Sequence, residues 1–153
     1  MIQNPALERK LLQVAVAVAG GVPVAAGLAG GLWGPAMLNP GADAGLDSHF
    51  RYLSGLLLAI GVAYWTTIPR IELAGGRFGL LTLIVVTGGF FRGLGMLITG
   101  PSDPWMLAAL GMEVVVSPAL YLWQGRVARL ATLEAVSPWS AAASASARKS
   151  TTP

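Results

Sequence analysis

The sequence of 153 residues contains no cysteine and a single histidine. The first absence removes disulfides, thiolate nucleophiles and thiolate metal sites together. The second leaves no imidazole pair for a haem and no histidine set for a metal. Charge is scarce too: Asp, Glu, Lys and Arg make up 11% of the chain, against roughly 25% in soluble domains. That is too little polar surface to face water on every side. The bases stand in ones and twos between apolar runs, unlike the clustered patch of a nucleic-acid binder, so no nucleic-acid partner is expected. No Ser–His–Asp set and no carboxylates paired at catalytic spacing can be assembled. No catalytic residue, metal or cofactor is assigned, and no reaction is named.

Apolar side chains dominate what remains, at 54% of residues with a mean hydropathy of +0.65. They gather into segments over about 11–32, 51–69, 78–99 and 105–125, of which the third is interrupted only by Arg92 and the fourth only by Glu113. A helix crosses a bilayer with about 20 apolar residues, and each segment approaches that length. Inside hydrocarbon only helices and closed barrels satisfy the backbone, and the strict alternation of a barrel strand is missing. The expected fold is all-α, a bundle of four transmembrane helices with antiparallel neighbours, forming one domain over 1–136. Residues 137–153, low in large apolar side chains and without periodicity, are expected to be a disordered cytoplasmic tail.

Orientation follows from the bases. Arg9 and Lys10 precede the first segment, Arg70 and Arg77 lie between the second and third, and Arg126, Arg129, Arg148 and Lys149 follow the fourth. The other two connections carry Asp43, Asp47 and His49, and Asp103. The positive-inside rule then places both termini in the cytoplasm of a cell with an inner, cytoplasmic membrane. The apolar run from Leu11 continues to Trp33, past the length of a signal-peptide core, so this segment is expected to stay attached. Asp47 or Ser48 is expected to cap the second helix. Pro23 and Pro118 should kink their helices, the freed carbonyl being taken by a hydroxyl such as that of Ser117 or by water.

Two charges lie inside the apolar segments. Arg92 is eight residues before Gly100, and Glu113 nine after Pro104, about 12 and 13 Å at 1.5 Å per residue. A short connection makes these helices antiparallel neighbours, so the opposite charges fall at nearly the same depth. A lone charge there costs at least about 2.5–3.5 kcal/mol, and arginine does not deprotonate to escape it. An Arg92–Glu113 ion pair is therefore expected in the outer half of the bundle. It serves either as a lock between helices or as the border of a polar site open to the outer face, with Arg51, His49 and Asp47 at the rim and Ser117 deeper. The glycines spaced around Arg92 suit close helix packing, as do Gly27-x-x-x-Gly31, Gly30-x-x-x-Gly34 and Gly89-x-x-x-Gly93.

The stretches "DSHFRYLSGLLLAIGVAY", "GGFFRGLGMLITGPSDP" and "LGMEVVVSPALYLW" carry a resemblance to the bacterial domain-of-unknown-function 4345 family of small four-helix membrane proteins. Its specific part is the trio Arg51, Arg92 and Glu113 in glycine-rich settings. The resemblance implies no agreed activity and no catalytic residues. The family is distantly similar to the DoxX/DoxD-like superfamily, a resemblance that implies an accessory role in a quinone-linked redox system as an alternative. The competing readings are binding of a lipid-like or quinone-like ligand, assembly with a membrane protein partner, and an oligomeric transporter or channel. Membrane lipids are partners in all of them.

Overall fold

The computed structural model describes residues 4–37, 40–100 and 103–149, with side chains over 4–36, 40–100 and 103–136. Helix α1 spans Pro5–Trp33. Asn4 caps it, its side-chain oxygen accepting the Leu7 N–H at 3.2 Å, and Pro5 occupies the first helical position, where a missing N–H costs nothing. The helix continues through Pro23 and stops at Gly34, whose φ of 69° suits glycine. Asp43 starts α2, Ala44–Trp65, by accepting the Leu46 N–H at 2.7 Å. A 3-10 segment, Ile68–Leu73, leads into α3, Gly75–Thr99. Then α4, Pro104–Gly111, a π-helical turn, Met112–Val116, and α5, Ser117–Lys149, follow without a break.

The described residues contain helix and no strand. Three helices are long and apolar enough to cross a membrane: Pro5–Trp33, Gly75–Thr99 and Pro104–Val136. Much of their apolar surface has no partner among the described residues; Leu97, for instance, is 85% exposed. Lipid covers such a surface, and the chain is a small membrane protein. Helix α2 has 22 residues, but Asp47, His49 and Arg51 dilute its apolar character, and it is not among the three.

Helix ends depart from the sequence reading because caps lie outside apolar runs. The second helix begins at Ala44 instead of 51, and the capping residue is Asp43, which leaves Asp47 inside the first turn. The last helix extends to Lys149, through the stretch where a disordered tail is expected. Alanine recurs there at 141, 142, 143, 145 and 147, and alanine is the strongest helix former.

The helices form two antiparallel hairpins, α1 with α2 and α3 with the α4–α5 rod. In the first, Gly27 lies so close to α2 that a β-carbon would stand 2.5 Å from the Leu58 nitrogen and 2.6 Å from the Ser54 carbonyl oxygen. Only glycine permits that approach. In the second, Gly79 faces Tyr121 while Gly89 faces Glu113 and Val114. The hairpins meet at the base-rich end, around Leu12, Val16, Tyr64, Ile71, Phe78, Leu81 and Val127, all buried. Phe78 is fully covered, with Tyr64 edge-on at 5.2 Å and Tyr121 stacked at 6.5 Å.

Candidate functional site

Arg92 and Glu113 meet as the depth argument requires. Arg92 donates from Nε to Oε2 and from Nη2 to Oε1 of Glu113, both at 2.8 Å. This two-pronged geometry is the strong form of an arginine–carboxylate pair. Gly89 makes it possible: a β-carbon there would lie 2.8 Å from the Glu113 β-carbon and 2.9 Å from Val114 Cγ1. Glu113 projects from the π-helical turn, a feature absent from the sequence reading. Its cause is local. A proline ring presses on the carbonyl four residues back, which for Pro118 is that of Val114, and the widened turn at Met112–Val116 lies where that crowding falls.

The side chains are 29% and 17% exposed. Arg92 spends two of its three nitrogens on Glu113; Nη1 makes no hydrogen bond among the described residues. Beside it the surface is open. Gly88 and Gly95, four residues before and three after Arg92, have no described atom beyond their chain neighbours and their own helix backbone within 4 Å of where a side chain would begin.

Arg51, Asp47 and Ser117 make contacts of their own. Arg51 donates to both oxygens of Asp47, at 2.8 and 3.2 Å, and from Nη1 to the carbonyls of Gly31 and Leu32, at 2.7 and 3.0 Å. Those carbonyls are among the last of α1, which have no partner within their own helix. Arg51 and Asp47 thus clamp the end of α1. Ser117 is buried and shares a hydrogen bond of 3.0 Å with the Tyr64 hydroxyl, which also meets Thr82 at 3.2 Å. It joins two hairpins and does not serve a carbonyl freed by Pro118. His49 is exposed on α2. No described hydrogen bond ties Arg51, Asp47 or Ser117 to Arg92 or Glu113. Among the described residues no three His, Asp or Glu side chains gather as metal ligands.

A second polar assembly escaped the sequence reading. Glu8, 3% exposed, accepts from Arg126 Nε and Nη2 at 3.1 and 2.7 Å. Arg9 pairs with Glu72 at 3.0 Å, while Gln13 and Gln124 donate to the carbonyls of Ile68 and Ile71, each at 2.8 Å. The signal for Glu8 was present in Asn4-Pro5: a cap followed by proline starts the helix before Glu8, and a carboxylate in the first turn suits the helix dipole.

The family model described as Domain of unknown function (DUF4345) matches residues 11–124. The match takes in α2, α3, the π-helical turn and both Arg92 and Glu113, and the chain belongs to this family. Comparison with curated proteins and with solved structures returned no match.

Proposed function

We propose that this member of the DUF4345 family is a membrane protein of four crossings that binds a lipid-like ligand through the unspent edge of Arg92. In this reading α2 crosses as well, both termini lie in the cytoplasm, and the Arg92–Glu113 pair sits in the outer leaflet of the cell membrane. Charge distribution supports the orientation. The end holding Asp43, Asp47 and Asp103 has Arg51 as its base, whereas Arg9, Lys10, Arg70, Arg77, Arg126 and Arg129 gather at the other.

One observation carries the binding reading: a guanidinium held rigid by Glu113 keeps Nη1 free beside the open face at Gly88 and Gly95. In a poorly hydrated place such a donor seeks an acceptor. A phosphate or carboxylate headgroup supplies one, and so does the carbonyl of a quinone.

The exchange Arg92→Glu with Glu113→Arg tests this, since it keeps the ion pair and moves the free edge. Native protein purified in mild detergent should retain one lipid or quinone class above its share of the membrane extract, and the exchanged protein should lose that enrichment while remaining folded. Equal enrichment in both, or none in the native protein, would discard the binding reading. Crossing number has its own test, helped by the absence of cysteine. Ala42→Cys and Gly76→Cys flank α2, so an impermeant maleimide should label them from opposite sides of sealed vesicles. Labelling from one side removes the α2 crossing.

A further inference from the structure

At the base-rich end a groove runs between the start of α1, the 3-10 segment and α5. It consists of two cavities of about 270 and 390 Å³ that share Glu72 and Ala131 in their linings. The floor is apolar and shallow, made by Val127, Ala128, Ala131 and Ala135 along α5. Lys10 lines one cavity and Arg129 the other. The neighbouring charges are accounted for in part: Arg9 is held by Glu72, and Arg126 by Glu8. Glu134 also lines the first cavity. Lys10 and Arg129 are exposed and make no ion pair among the described residues. Arg70, also exposed and unpaired among the described residues, belongs to the adjoining 3-10 segment. The groove lies where the chain leaves hydrocarbon, since the charge-free run of α1 begins directly after Lys10.

We infer that this groove binds an anionic phospholipid, with the phosphodiester between Lys10 and Arg129 and an acyl chain on the alanine floor. Small side chains on α5 leave room for a methylene chain. The six bases of this end, Arg9, Lys10, Arg70, Arg77, Arg126 and Arg129, face three acids, Glu8, Glu72 and Glu134. The balance favours a lipid with net negative charge over a zwitterionic one. The site is separate from Arg92 and stands or falls independently of it.

The test is a titration of the full chain in detergent, followed by native mass spectrometry. The probes are phosphatidylglycerol and phosphatidylcholine of identical acyl chains, with glycerol phosphate as a chain-free competitor. Phosphatidylglycerol should bind several-fold more tightly. Lys10→Gln and Arg129→Gln should each weaken it about fivefold and together about thirtyfold, from the known attraction per basic residue, and leave phosphatidylcholine unchanged. Ala131→Phe fills the floor and should weaken both lipids. Glycerol phosphate should not compete. Equal binding of the two lipids, native affinity in the double variant, or displacement by glycerol phosphate would each overturn the inference. Both bases are exposed, so an unchanged helical circular dichroism signal will establish that the variants are folded.

Discussion

The two ends of this molecule use the same kind of interaction for different purposes. At the base-rich end ion pairs and amide hydrogen bonds tie the hairpins together, Glu8 to Arg126 directly, and Arg9, Gln13 and Gln124 through the 3-10 segment that connects them. At the acid-rich end the bonds of Arg51 and Arg92 among the described residues each stay within one hairpin, α2 to α1 by Arg51 and α3 to the π-helical turn by Arg92. Where water and headgroups are near, a polar contact can be spent on relative placement of hairpins, because its loss leaves groups that can be solvated. Deep among apolar side chains, a charge must find its counterpart on the nearest helix. Among the described residues the polar contacts between hairpins thus gather at one end.

That contrast is most directly broken at Arg92. Arg92→Leu leaves Glu113 without its counterion among apolar neighbours, and thermal unfolding in detergent should report a loss of about 2.5–3.5 kcal/mol. Arg92→Lys should lose less, keeping the charge but not the two-pronged geometry. The exchange of both residues should recover part of the loss from the single leucine variant. If the exchanged protein is no more stable than Arg92→Leu, the pair is not what holds α3 against the π-helical turn.

How much of this was readable beforehand differs by residue for physical reasons. The Arg92–Glu113 pair was legible because a short connection fixes two helices in register, and rise per residue then gives depth. Arg51 finds its partner Asp47 at the favourable i, i+4 spacing. The proline- and glycine-rich stretch before it hid the helix start at Ala44, so Asp47 was read as a loop residue. Glu8 was overlooked because hydropathy begins at Leu11, while the helix begins at its cap. The Ser117–Tyr64 contact joins residues 53 apart, and nothing local in either segment announces it. Element existence came from apolar runs; polar partnerships came from helix ends, where those runs are silent.

The base-rich end sharpens the contrast through an asymmetry between partners. The Glu8 side chain is 4% exposed and that of Arg126 43%. Arg126→Ala strands a buried carboxylate and should cost about 2 kcal/mol, the range for hydrogen bonds to charged groups. Glu8→Ala leaves an arginine that can extend into water, and should cost well under half of that. Equal losses would mean that Glu8 is more accessible than its packing implies. In the core at the same end, Tyr64→Phe removes the hydroxyl that links Thr82 and Ser117. It should cost about 1 kcal/mol, since both remaining hydroxyls can turn to carbonyls of their own helices.

The smallest effect is expected at Arg51, and it says most about the acid-rich end. Its bonds to Gly31 and Leu32 cap carbonyls at the end of α1, beside Gly34. Arg51 and Asp47 are 41% and 40% exposed, so water can replace much of what is lost. Arg51→Ala should therefore lower global stability by less than about 1 kcal/mol. Its main consequence is local: hydrogen exchange should quicken over the last turn of α1 and the first of α2, with the glycine-packed middle around Gly27 unchanged. The close backbone contact at Gly27 holds the hairpin without help from its clamp. If exchange instead quickens along the whole of α1, the glycine contact is weaker than its geometry implies and the arginine clamp is what joins the two helices.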